Sequence, residues 1–161
     1  MKYTDKDIKD DAGRKWVSVV RLQMVREKES VFGLGKITGS EGAVQTVRSL
    51  FEKQDREIMA VLSLSVRMIP LAMEVVAVGG LNACAIDVPN IFKHAILTNA
   101  SAIICFHFHP SGDPSPSEED EEATERLRKA GDILGISLVD HIIIAGEGIY
   151  YSFAEHHRGG L

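Results

Sequence analysis

Cysteine is scarce: Cys84 and Cys105 are the only two in 161 residues. Both lie in apolar stretches without close-spaced partners. That excludes a disulfide-stapled mini-protein and reads as two buried free thiols in a reducing cytosol. Aromatic residues make up 6% of the chain and proline numbers five, so collagen-like and Pro-rich low-complexity architectures are excluded. No apolar run approaches the roughly 20 residues of a bilayer helix; AIICF (102–106) and HIIIA (141–145) are of strand length. MKYTDKDIKDDAGRK (1–15) contains no apolar h-region, so no secretory signal is read and a cytoplasmic, membrane-free protein is expected. Positive charge is not in surplus either. Residues 1–50 carry ten basic and seven acidic side chains, a net of +3 against −5 overall, hence −8 over residues 51–161. That balance argues against a broad phosphate-binding surface in the larger part of the chain, although it leaves room for a local basic groove.

What is present is the composition of one globular domain. With 45% hydrophobic and 25% charged residues, a chain of this length can hide roughly 70% of its unfolded surface. Residues 1–15 read as a loose polar arm. WVSVVRLQMV (16–25) reads as a strand, and GLGKITGSEG (33–42) as a Gly-rich connection. Its GLGK is not a phosphate loop, because Ser30 and Ile37 stand where that motif needs Gly and Ser/Thr. AVQTVRSLFEK (43–53) predicts a helix with Val44, Val47, Leu50 and Phe51 on one face. Strands are expected over 57–66 and 71–78, joined at 67–70, with a further extended piece over 79–86. NIFKHAILTNA (90–100), preceded by Pro89, predicts a helix turning Ile91, Phe92, Ala95 and Ile96 inward. AIICFHFH (102–109) is so uniformly apolar before its histidines that it reads as a central strand covered on both faces. A Pro/Gly/Ser/Asp turn (110–116), a helix (118–133) and strands over 137–145 and 150–155 complete the series. Helices alternate with strands and nothing repeats, which points to a helix-covered α/β sheet.

The chemistry concentrates in HFHPSGDPSPSEED (107–120). One residue separates His107 from His109, so on a strand both imidazoles project from one face. The turn after them is stiffened by Pro110, Pro114 and Pro116 and can fold the chain back, bringing Asp120 over the rings. Two neutral imidazoles and one carboxylate form the three-ligand set of a catalytic zinc, with a fourth position left for water. There are plainer alternatives. Ser117-Glu-Glu-Asp120 also fits a helix capping box, and the histidines can be satisfied core residues. Asp120, however, stands at helical spacing with the apolar Ala123, Leu127, Ala130 and Leu134. A carboxylate aimed into a core is costly unless paired or bound to metal, so ligation is the favoured reading, with Ser117 capping in addition. EEDEE (118–122) otherwise reads as a solvated helix face.

HxH followed by seven residues and SxxD resembles the JAMM (JAB/MPN+) metalloprotease signature. More narrowly, HPSGDPSPSEED, with LTNASAII before it and AGDILGISLVDHIII and YYSF after it, is similar to the RadC-like JAB domain over about residues 55–155. The resemblance implies a single domain, a three-layer α/β/α sandwich around a mixed sheet, with cytidine-deaminase-like architecture. It implies a hydrolase of peptide or isopeptide amides holding one Zn2+ per chain on His107, His109 and Asp120, and a protein or peptide substrate. Zinc in such a site lowers the pKa of bound water to about 7. The family also needs an earlier glutamate, and the matching residue is Glu57 in DREIMAVLSLS (55–65). Sequence alone reads Glu57 as an ordinary strand-end glutamate; the resemblance makes it the general base. Ser117 would then donate to the oxyanion. Phe108 departs from the polar residue the family usually carries between its histidines, and strand alternation turns it away from the metal. SVRMIP (65–70) departs from the family's polar turn.

His141 reads either as a support to the ligands or as a core histidine. His156, His157 and the terminal RGGL are placed on a tail, where self-processing at the glycine pair is a remote alternative to simple fraying. A DNA-repair or nucleic-acid-acting role is a rival that the charge of residues 51–161 disfavours. A non-catalytic MPN-like interaction module is a second rival, but such modules typically lack the ligands present here. A zinc deaminase would need PCxxC ligands, which Cys84 and Cys105 do not supply.

Overall fold

The computed structural model describes residues 35–51, 54–79, 86–146 and 148–156, together with Arg21, Met24 and Val25. The loose arm over 1–15, the expected strand over 16–25 apart from Arg21, Met24 and Val25, most of the extended piece over 79–86, Cys84, His157 and the RGGL terminus lie outside the described residues.

Apolar spacing within each segment decides which layer it joins. Helix α1 (Ser40–Phe51) buries Ala43, Val44, Val47 and Phe51, while Leu50 is only partly covered. Strand β1 (Ile58–Leu64) is buried along all seven residues, so it can sit only inside a sheet covered on both sides. Its alternation is the expected one: Ile58, Ala60, Leu62 and Leu64 pack in the layer of α1, and Met59 and Val61 in the opposite layer. Strand β2 (Pro70–Val78) pairs antiparallel with β1 and is largely half-buried or exposed. Helix α2 (Val88–Leu97), with Pro89 in its first turn, turns Ile91, Phe92 and Ala95 inward. Ile96 does not follow them; it is 53% exposed.

Strand β3 (Ala102–His109) pairs antiparallel with β1 on one side. On its other side it pairs in parallel with β4 (Ser137–Ala145). A parallel neighbour needs a crossover, and helix α3 (Glu118–Leu134) supplies it. Strand β5 (Ile149–Ser152) closes the edge antiparallel to β4. The chain then turns into the short helix α4 (Phe153–His156). The expected strand over 150–155 is therefore half strand and half helix, because Ser152 and Asp140 accept from backbone N–H groups of the new turn.

Among the described residues the result is a mixed five-stranded sheet in the order β2-β1-β3-β4-β5. One face carries α1, the other α2 and α3, which is the α/β architecture the sequence implies. Strand β3 is central, as its apolar run requires. Among the described residues no helix is long and apolar enough to cross a membrane. Cys105 is a buried free thiol, and burial, reinforced by the Asp140 charge, pushes it up to about 12.

Candidate metal centre

Strand alternation delivers the two histidines. His107 and His109 project from the same face at the end of β3, with ring centroids 4.7 Å apart and planes at 83°. Phe108 points to the other face and stacks on Phe51 at 5.7 Å, so its departure from a polar residue leaves the histidine face untouched. The following turn is held by its own side chains: Asp113 Oδ1 accepts from the Ser115 N–H at 2.9 Å, and Gly112 takes the left-handed conformation at φ 84°. The Asp113 carbonyl oxygen lies 3.0 Å from His109 Nδ1. A carbonyl only accepts, so Nδ1 carries the proton and Nε2 keeps its lone pair.

The start of α3 supplies the carboxylate. Ser117 is the N-cap, and the full capping box forms: Ser117 Oγ accepts from the Asp120 N–H at 3.2 Å. In return Asp120 Oδ2 accepts from the Ser117 N–H at 2.9 Å and from its hydroxyl at 2.6 Å. The two carboxylate oxygens have different partners. Oδ1 faces the opposite way and accepts from His107 Nδ1 at 2.8 Å. Burial alone would push the Asp120 carboxyl up. The hydrogen bonds from His107 and Ser117 outweigh it and hold the group well below the usual carboxylate range. Asp120 is buried with Ala123 and Leu127, as the apolar stripe predicts, but Leu134 at the end of that stripe is 46% exposed.

With Nδ1 donating to Asp120, the remaining His107 nitrogen has only a lone pair. His107 Nε2 is buried and has no hydrogen-bond partner among the described residues. Glu57, the residue before β1, aims Oε2 at it from 3.7 Å, with a side chain only 17% exposed. Across the same space His109 Nε2 stands 3.7 Å from Asp120 Oδ2. One ligand atom from each of His107, His109 and Asp120 lies within 4.8 Å of the others. His107 Nε2 with Glu57 Oε2, and His109 Nε2 with Asp120 Oδ2, are acceptors facing acceptors, each pair 3.7 Å apart and too long for a hydrogen bond. An orphaned buried nitrogen in such a group fits a cation, and two imidazoles with one carboxylate suit zinc with one position open.

Two residues behind the ligands complete the site. His141 on β4 is fully buried, and its Nδ1 lies 2.7 Å from Thr124 Oγ1 on α3. Thr124 donates in turn to the Asp120 carbonyl oxygen at 2.7 Å. Sequence reasoning left His141 open and did not single out Thr124; the available signal was its position four residues after Asp120, on the same helical face. His94 is remote from the cluster and bonds Ser63 at 2.9 Å, while His156 stacks on Tyr151 at 4.0 Å.

Residues 37–159 match the family model described as the RadC-like JAB domain. The chain belongs to the RadC-like JAB family. It is also 43% identical over 121 residues to a UPF0758 protein of Alkaliphilus oremlandii, covering 75% of this chain and 52% of that protein. A UPF0758 protein of Thermotoga maritima is 46% identical over 101 residues, covering 63% of this chain and 45% of the relative. One from Listeria monocytogenes is 39% identical over 135 residues, covering 84% and 58%. The chain thus spans about half the length of the curated relatives it matches. The RadC-like JAB family lies within the JAB/MPN superfamily, whose members include metallohydrolases. In this member the His-His-Asp group that can hold a metal is formed by β3 and the first turn of α3.

Proposed function

We propose that this domain is a zinc-dependent hydrolase that cleaves a peptide or isopeptide amide, with Glu57 as general base. The observation that carries the reading is the convergence of His107, His109 and Asp120, with the orphaned His107 Nε2 facing Glu57. One zinc ion held by those three side chains supplies Lewis acidity toward water and a carbonyl oxygen at neutral pH. The chain's own residues supply the rest. Glu57 Oε2 takes a proton from water and returns it to the leaving amine. Its place at the head of β1, beside the end of β3, holds it 3.7 Å from His107 Nε2. Ser117 Oγ donates to the oxyanion that develops from the scissile carbonyl. In the resting geometry its proton is given to Asp120 Oδ2, so donation to substrate needs only a hydroxyl rotation while Oγ goes on accepting from the Asp120 N–H. The prolines at 110, 114 and 116 hold Ser117 and Asp120 in register with the histidines.

The substrate is a protein or peptide, in keeping with a net charge of −5 that disfavours a polyanion. Zinc analysis tests the reading together with amide-cleavage assays on peptide and isopeptide libraries. The expected result is one zinc per chain, lost in His107→Ala and Asp120→Ala, and a Glu57→Gln protein that keeps its zinc but loses cleavage by at least a hundredfold. Wild-type rates from Glu57→Gln, or a protein that binds no zinc, would refute it.

A further inference from the structure

His141 presents a chemical anomaly. It is fully buried, yet its Nε2 has no hydrogen-bond partner among the described residues. A phenylalanine would occupy a similar volume between the same rings without leaving a polar atom unsatisfied. The reason for an imidazole must therefore lie with its other nitrogen.

Hydrogen counting fixes what that nitrogen does. Thr124 has one hydroxyl proton, and it goes to the Asp120 carbonyl oxygen at 2.7 Å. Its Oγ1 can then only accept from His141 Nδ1, 2.7 Å away. The ring therefore carries a proton on Nδ1. A one-way chain of donors results: His141 Nδ1–H to Thr124 Oγ1–H to the backbone carbonyl of Asp120. The same ring lies nearly parallel to His107, at 7° and 6.3 Å, and is backed by Phe153 at 5.1 Å and 5°. Strand register puts it there, since His141 pairs with Cys105, two residues before His107 on the same face.

We propose that His141 is a positioning residue for the ion site. Its ring lies parallel to one ligand and its Nδ1 reaches another through Thr124, and so it fixes the distance between the β3 and α3 halves of the cluster. The inference rests on the reading of His107, His109 and Asp120 as ligands. It assigns to β4 the task of holding two separately folded pieces of the site at ligating separation. Groups behind ligands commonly change metal affinity by 10–100-fold when removed.

The test uses the whole chain and reads zinc affinity by chelator competition, together with the visible absorption of the Co2+-substituted protein. His141→Phe keeps the ring and removes the donor; Thr124→Val keeps the shape and removes the relay. Both are expected to weaken zinc binding at least tenfold and to change the Co2+ spectrum. His141→Asn places an N–H donor near the position of Nδ1, and Thr124→Ser keeps the hydroxyl; each should recover affinity to within about threefold of wild type. Should His141→Phe fail to fold, Thr124→Val decides alone. Lowered melting temperatures with wild-type zinc affinity and an unchanged Co2+ spectrum would overturn the inference, because the ring would then only pack. A wild-type chain that takes up no zinc overturns the ligand assignment itself and this inference with it.

Discussion

Two buried aspartates show how far neighbours decide the behaviour of one residue type. Asp120 is held below its ordinary value because the donors around it outweigh burial. Asp140 accepts from Ser40 at 2.8 Å, from Ser152 at 2.7 Å and from the Ala154 N–H at 3.0 Å. Even so, burial, helped by the charge of Glu155, keeps it above the ordinary value. The signs of the pH dependence are opposite. A carboxyl depressed in the folded state contributes stability that is fully present above the ordinary value of 3.8 and is lost as pH falls through the lower folded value. In metal-free protein the stability difference between wild type and Asp120→Asn should therefore shrink as pH falls below about 3.8. Urea unfolding at pH 5 and pH 2.5 measures it, and an equal difference at both would contradict the account. Asp140, raised instead, withdraws stability as pH rises from 3.8 through its folded value. Ser152→Ala removes one of its donors and should cost about 1–3 kcal/mol. The loss should be greater at pH 7 than at pH 4, again by urea unfolding.

At the scale of elements, much of the fold was legible because periodicity answers directly to the solvent. The alternation in β1, the wholly apolar β3 and the buried stripe of α3 each had one physical solution. His107, His109 and Asp120 were readable for the same reason: a strand sends alternate residues to one face, and a carboxylate on an apolar helical stripe needs a partner. The misreadings fall where an element outruns its neighbour. Ile96 and Leu134 keep the helical spacing, but Ile96 remains exposed although α2 packs on the sheet, and so does Leu134 at the last turn of α3. β5 stops short of residue 155 because two hydrogen bonds open a new turn: the Glu155 N–H to Ser152 Oγ, a local signal three residues away, and the Ala154 N–H to Asp140, which only the tertiary fold supplies. Glu57 could not be told from any exposed strand-end glutamate until β1 was laid beside β3. Helix α3 offers its own test at Gly131, where an added Cβ would stand 2.5 Å from the Ile136 carbonyl oxygen. Alanine is the better helix former by about 1 kcal/mol, yet Gly131→Ala should destabilise by about 1–3 kcal/mol, because backbone has to move. Thermal unfolding that finds the variant more stable would show that the turn into β4 yields.

For the whole molecule, ion binding and folding are one equilibrium if the ligands assemble only in the native state. An ion at a hundred times its dissociation constant adds about 2.7 kcal/mol to stability. For a domain of this size that raises the melting temperature by about 5–11 °C. Calorimetry with zinc, and again after a chelator, should show the shift and its reversal; His107→Ala should show neither. The antiparallel register of β1 on β3 carries a further consequence. Met59 sits opposite His107, and Glu57 therefore reaches the lone pair of that ring. Sliding the two strands by a single residue would turn Glu57 to the far layer and leave the histidines facing an aliphatic chain. The His107, His109 and Asp120 group is carried by β3 and α3 and would survive such a slip; what a misaligned molecule loses is the carboxylate beside it.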